Sequence, residues 1–390
     1  MARTEAIKPS SICHCLARPS SDDVPNPMRP TGYAAKRMAR KSATLAGRIR
    51  LFVLMIRYGI LGFGLHAVRR LMPGFALAHN CRVTALSRCD LKQARASAAE
   101  YNIPHAFETA ADLCRSPEVD AVFVATPDSS HLHDVLLAIE SGKPVLCEKP
   151  MGMNAAECRQ MVEAAERANL LLGVAQVFRF ANATARLRER VAAGQVGKPV
   201  LARAEFSYPG REHPRKWLTN PRIAAGGPIA DVGVHCFEAL RHILHDEVVR
   251  VTASGLSDQD SGDVEAAAVL SLEFARGTLG CVLVSTRAEY RTPLEIVGGS
   301  GTLRADDGLN VERPIELELR RGGSVVETET VSNRDAYARQ VDAFAAAIEG
   351  RSEFPVPGEE GWQNQEILDA AYRSLRTGKA ETVPLVPKER

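Results

Sequence analysis

The chain has 390 residues, 49 Lys and Arg against 47 Asp and Glu, and a formal net charge of +2, with 45% hydrophobic and 25% charged residues. This is ordinary for a globular protein of two or three domains and excludes collagenous, coiled-coil and low-complexity chains. The near balance of charge argues against a dedicated nucleic-acid binder, and no apolar run approaches the roughly 20 residues that span a bilayer.

The balance hides an asymmetry: residues 1–54 carry +7 and residues 55–390 carry −5. The first 54 residues are rich in Pro, Ser, Arg and Lys and lack apolar periodicity, which predicts a basic, disordered leader. Its apolar run 51–56 stops at Arg57, too short for a secretory signal. An organelle transit peptide is the alternative to a dispensable leader with Met55 as the functional start. The nine cysteines are scattered and form no C-x-x-C, so neither a disulfide framework nor a metal site is expected, and Cys13-His14-Cys15 reads as incidental. Scattered free thiols fit a reducing, cytoplasmic location.

In chain order, short apolar runs at 56–61, 82–86, 120–125, 144–147 and 170–176 alternate with helical stretches at 91–101, 130–140 and 155–168. That alternation predicts an α/β domain over 55–176, a parallel sheet with helices on both faces. Beyond about residue 198, strands are expected at 200–208, 248–254, 264–274, 277–286, 294–297, 315–320 and 324–330, several joined by Gly-containing turns. Short turns between consecutive strands imply a large, mostly antiparallel sheet, within a second domain over 177–385. Helices are expected beside it at 229–244, 335–349 and 362–376.

The first run leads into Gly62-Phe63-Gly64-Leu65-His66-Ala67, a G-x-G-x-x-A turn after a strand and before a helix. Gly62 permits the tight turn, Gly64 lets the backbone approach a pyrophosphate, and Ala67 keeps the helix close to the strand. Amides at the helix start favour an anion. The second strand ends in Ser87-Arg88 where NAD-binding chains usually place an acid. Ser87 can bond a 2′-phosphate and Arg88 can pair with it, which argues for NADP. NAD is the alternative, with Asp90 as the ribose acid or Arg88 as a solvated charge.

Glu148-Lys149-Pro150 closes a buried run, at the strand end where such sheets bind ligands. Downstream, Asp231 and His235 stand four apart and share a helix face. A carboxylate, an imidazole and an ammonium together make an acid/base site suited to moving an alcohol proton.

These motifs, with Thr126-Pro127 and His131, occur in the order and spacing of one family. Over residues 55–385 the chain resembles the glucose–fructose oxidoreductase, inositol dehydrogenase and rhizopine-catabolism (Gfo/Idh/MocA) family. The resemblance implies a Rossmann domain followed by an α/β domain with a large open sheet. It implies NAD(P)-dependent oxidation of a sugar or polyol hydroxyl, or the reverse reduction, by a homo-dimer or tetramer joined through that sheet. Lys149 would hold the substrate hydroxyl, His235 would be base in oxidation and acid in reduction, and Asp231 would bind substrate hydroxyls. Pro150 would follow a cis bond, and Arg179 and the Lys216-Trp217 pair would line the cleft. This sequence departs from the family pattern at Ala67, at Gly226-Gly227-Pro228 and at Glu238. Two rival readings are a non-catalytic NAD(P)-binding sensor and an NAD-using glycosidase. Basic residues Arg211, His213, Arg215 and Lys216 suit either an anionic substrate group or a solvated loop.

Overall fold

The computed structural model describes residues 55–210 and 215–387. The expected leader, with Cys13-His14-Cys15, and Arg211 and His213 of the basic loop lie outside the described residues.

The apolar runs become a six-stranded, all-parallel sheet in the order β3-β2-β1-β4-β5-β6. Its strands are β1 (Ile56–Leu61), β2 (Cys81–Ser87), β3 (His105–Phe107), β4 (Ala121–Val124), β5 (Val145–Cys147) and β6 (Leu172–Val174). β4 and β5 are buried along their whole length. This follows from helices covering both faces, which leave no solvent side and so no alternation. The covering helices include α1 (Met72–Leu77), α2 (Leu91–Tyr101), α3 (Ala110–Arg115), α4 (His131–Glu140) and α5 (Ala155–Ala168). β3 escapes the sequence reading because it has only three residues, all half-buried.

The order of the sheet reverses between β1 and β4, so their carboxyl ends diverge into a crevice. Gly62 stands there with φ +79°, and a Cβ on it would meet the Ala125 carbonyl oxygen and the Thr126 nitrogen at 2.7 Å. Only glycine allows the two turns to approach so closely.

The second sheet has nine strands in the order β14-β13-β12-β11-β7-β10-β9-β8-β15. In chain order these are β7 (Pro199–Ser207), β8 (Val248–Leu256), β9 (Ala267–Phe274), β10 (Leu279–Ser285), β11 (Leu294–Gly298), β12 (Gly301–Ala305), β13 (Pro314–Arg321), β14 (Ser324–Ser332) and β15 (Glu381–Thr382). β7 and β10 pair in parallel, whereas the other neighbours are antiparallel. Burial alternates along β9 as one face meets helices and the other solvent. β12 and β15 were not expected: the first is half of a glycine hairpin and the second has two residues. The helices of this part are α6 (Asn182–Ala192), α7 (Val234–Leu244), α8 (Ala336–Ile348) and α9 (Gly358–Thr377). α6 has no counterpart in the sequence reading, since four of its first seven residues are Asn, Thr or Arg and its apolar stripe is thin.

α8 returns to the first sheet. Its Val341 and Phe344 join the core around Tyr58, and the Tyr58 hydroxyl donates to the Val341 carbonyl at 3.0 Å. Asp342 accepts the backbone N–H groups of His79 and Asn80 at 3.0 Å. No helix among the described residues is long and apolar enough to cross a membrane.

Candidate active site

Two chambers meet at the carboxyl ends of β1 and β5. The first, of about 450 Å³, follows the ends of β1, β2 and β4. It is walled by Gly62, Phe63 and Gly64, by Ser87 and Arg88, and by Thr126 and Pro127. The Phe63 N–H donates to the Ser87 carbonyl at 3.1 Å, fixing the first turn against the second strand. The Phe63 ring turns inward and packs edge-on to Tyr101, 5.6 Å between centroids. Ala67 is fully buried under the turn, as its place in the motif demands. It opens a π-helical turn, Ala67–Leu71, that leads into α1. Such turns are rare and often sit at functional sites.

Arg88 is held at the chamber wall by bonds from Nη1 to Ser97 Oγ (3.0 Å) and from Nη2 to Gln93 Oε1 (2.8 Å). Asp90 is otherwise engaged: it caps α2, accepting the Gln93 N–H at 3.0 Å and the Gln93 side chain at 3.3 Å. The Thr126 hydroxyl donates to Asp134 Oδ2 at 2.7 Å. His131 lines the chamber but spends both ring nitrogens on backbone, at 2.9 Å from the Pro150 and Thr126 carbonyls. It therefore ties the Thr-Pro turn to the Glu-Lys-Pro turn. The Lys149–Pro150 bond is cis.

A dinucleotide fits this chamber by its walls. Gly64 faces the opening with nothing nearer than 3.9 Å to a Cβ built on it, so the backbone there can be approached. A fixed guanidinium stands at one end, while Glu148 and Lys149 mark the other.

The second chamber, of about 310 Å³, shares His66, Glu148, Lys149 and Arg215 with the first and adds Asp231 and His235. Asp231 sits in a second π-helical turn, Ile229–Gly233, and His235 in the first turn of α7. Lys149 Nζ donates to the Asp231 carbonyl at 2.6 Å and lies 3.5 Å from Asp231 Oδ1. The Tyr208 hydroxyl donates to Asp231 Oδ2 at 2.6 Å, and Arg215 Nη2 lies 3.6 Å from Oδ1. Burial alone would favour a neutral Asp231 carboxyl, but Arg215, Lys149 and the Tyr208 bond outweigh it and hold it well below the usual carboxylate range. His235 is pushed the other way: burial and the nearby Lys149 charge hold its imidazole well below its ordinary value, against the pull of Asp231. Its ring lies edge-on to Phe178 (5.0 Å) and stacked on Phe206 (5.9 Å). Its Nδ1 is buried without a hydrogen-bond partner among the described residues.

Glu148 links the chambers. Despite burial its carboxyl is held below the usual range by His66, whose Nε2 is 2.9 Å from Oε1, and by Lys149. Below Asp231, Glu265 accepts the N–H groups of Gly227 (3.1 Å) and Ile229 (2.8 Å) and the Tyr372 hydroxyl (3.1 Å).

Arg179 does not face either chamber. Its guanidinium pairs with buried Glu238 and with Glu360 at 3.3 Å, in a network with Arg241 behind α7. The acid at position 238 draws it there. Trp217 lines the first chamber rather than the second, with Arg215 5.9 Å over its ring. Tyr208, His66, Glu265 and Tyr372 carry no sequence expectation. Only His66, inside the glycine motif, had a local signal that could have singled it out.

Residues 56–176 match the family model described as an oxidoreductase family with an NAD-binding Rossmann fold, and residues 184–304 match the GFO/IDH/MocA C-terminal domain. The chain is 31% identical to D-xylose 1-dehydrogenase (NADP(+)) 2 of Haloferax volcanii, over 83% of this chain and 98% of that protein. It is 28% identical to 1,5-anhydro-D-fructose reductase of Ensifer adhaerens, over 84% and 99%. Its structure matches the aldose-aldose oxidoreductase of Caulobacter crescentus, crystallised with glycerol, at a TM-score of 0.79 and 26% identity, covering 84% of this chain and 99% of that one.

Proposed function

Since the chain belongs to the Gfo/Idh/MocA family of NAD(P)-dependent oxidoreductases, we propose that it moves a hydride between NADP and a hydroxyl-bearing or carbonyl carbon of a sugar or polyol. One observation carries this reading: the two chambers meet at Lys149, and Asp231 and His235 stand on the far side of that junction. In this reading residues 55–176 hold the dinucleotide, and 177–385 hold the substrate and the oligomer contacts. Bound dinucleotide supplies the hydride or accepts it at its nicotinamide ring.

The side chains do the rest. The Lys149 ammonium binds the reacting oxygen and offsets the charge it gains as its proton leaves. His235, neutral because it is buried beside a cation, takes that proton in oxidation and returns it in reduction. Asp231, ionised and oriented by Tyr208, binds a neighbouring hydroxyl and compensates the imidazolium formed. A screen of sugars and polyols with both dinucleotides, read at the nicotinamide absorbance, tests the reading. Stoichiometric reduced cofactor is expected, whereas a sensor or a glycosidase would release none.

Preference for NADP rests on Arg88, oriented by Gln93 and Ser97, and on Asp90 being used as a helix cap. A guanidinium–phosphate bond contributes about 1.5–3 kcal/mol. Arg88→Ala should therefore raise the Kd for NADP by about 10- to 100-fold and leave NAD within about twofold. Tighter binding of NAD than of NADP by the unaltered enzyme would remove the preference.

The pH profile tests His235. A base must be unprotonated to act, so kcat/KM for oxidation falls as pH drops through its pKa in the free enzyme. That pKa is depressed, so the acid limb should lie well below pH 6.5 and should vanish in His235→Asn. An unchanged limb in that variant assigns the titration to another group.

The expected homo-oligomer has a surface to form on. Leu201, Val269 and Leu279, on neighbouring strands of the second sheet, are each about half exposed. An apolar sheet face open to solvent favours association.

A further inference from the structure

α7 carries His235 at its start and ends in a second cluster of nitrogen donors. Its last residue, Leu244, is followed by His245 in the left-handed region (φ 50°). Arg188 on α6 reaches across, with Nη1 donating to His242 Nδ1 at 3.0 Å and to the His242 carbonyl at 3.1 Å. Its Nη2 donates to His245 Nδ1 at 3.2 Å. A guanidinium has only N–H donors, so both Nδ1 atoms accept. The ring proton of each imidazole is thereby placed on Nε2.

Arg188 and His245 line a hollow of about 360 Å³ with Lys198, Arg276 and Asp246. It shares no residue with either chamber of the active site. Asp246 is its one acid, and that carboxylate accepts the N–H groups of Glu247 (2.9 Å) and Arg276 (3.0 Å). No ion pair joins Arg188, Lys198 or Arg276 to a carboxylate among the described residues. The floor is apolar, made by Val191, Ile243 and Leu244, which strengthens electrostatic attraction above it. Capping the His242 carbonyl accounts for Arg188 alone; it does not account for Lys198 and Arg276 lining the same hollow.

We propose that this hollow binds a phosphate-type oxyanion, held by Arg188, Lys198, Arg276 and the His245 Nε2–H. Two cationic side chains beyond the single acid match a dianion, and both oxygens of that acid already accept backbone N–H groups.

The test is titration of inorganic phosphate into enzyme saturated with dinucleotide, so that the phosphate contacts of the first chamber are already filled. Saturable one-site binding is expected, followed by calorimetry or phosphorus NMR. Lys198→Gln/Arg276→Gln should weaken it at least tenfold, since two charge-assisted bonds are lost. Both side chains are exposed and make no intramolecular bond among the described residues, so this variant should keep its fold and its turnover. Arg188→Gln should weaken binding as well. A parallel titration with ribose 5-phosphate, counting only the binding lost in Lys198→Gln/Arg276→Gln, separates the sources: tighter binding assigns the site to a phosphate ester, equal or weaker binding to free phosphate. Absence of saturable binding, or equal affinity in the enzyme and the double variant, overturns the proposal.

Discussion

Lys149→Ala is expected to lower kcat/KM for the preferred substrate by about 10³-fold, the loss typical of removing one preorganised donor to a developing oxyanion. The ammonium lines both chambers from the carboxyl end of β5. Its Nζ is 2.6 Å from the Asp231 carbonyl, and its strand end is fixed by the Glu148 N–H donating to the Val124 carbonyl at 2.9 Å. About 10³-fold corresponds to about 4 kcal/mol of transition-state stabilisation. The loss should fall mostly on kcat, with dinucleotide affinity by fluorescence within about fivefold, because the phosphate-binding turn is untouched. Lys149→Arg should not restore turnover, since a planar fork cannot take the place of a compact ammonium in a buried site with a side-chain exposure of 11%. Near-normal turnover in Lys149→Ala would remove the mechanism.

The second large effect is expected at Gly227, which lines neither chamber. A Cβ there would lie 2.2 Å from the backbone carbonyl oxygen of Glu265 and 2.8 Å from its carboxyl carbon. Backbone cannot rotate away as a side-chain tip can. Gly227→Ala must therefore push apart the turn and β9's approach, breaking the bonds by which Glu265 holds the Gly227 and Ile229 N–H groups. Those bonds aim the π-helical turn that carries Asp231. We expect a loss of about 3 kcal/mol or more in denaturant unfolding, from overpacking together with an unsatisfied buried carboxylate. kcat should drop even in molecules that remain folded. At neighbouring Gly226 a Cβ would lie 1.7 Å from the Tyr372 hydroxyl, so the pair is fixed from two sides. Wild-type stability in Gly227→Ala would show that the turn has room to shift.

The two glycines of Gly226-Gly227-Pro228 thus acquire a physical account. The turn is packed on Glu265 and Tyr372, which lie 38 and 145 residues further along the chain. Nothing in the local sequence announces either partner. The same reason explains Arg179. The family resemblance made it a cleft candidate, and its neighbour Phe178 does line the second chamber, but buried Glu238 and Glu360 pull the guanidinium to the other side of α7.

What the sequence by itself determined was local and periodic. The alternation of apolar runs and helices specified the parallel sheet, because buried strands and amphipathic helices leave their marks within a few residues. Gly62, Gly64 and Ala67 announced the tight turn after β1 for the same reason, since the backbone geometry they permit belongs to one short loop. Lys149, Asp231 and His235 stood out as reactive groups at strand and helix ends. Tertiary structure alone decided what surrounds them. It set Tyr208 and Arg215 on Asp231, His66 on Glu148, and Phe178 and Phe206 around His235. These partners come from separate elements, and the ionisation of the site depends on their distances and on burial. Those quantities arise only when the two sheets are packed against their shared helices.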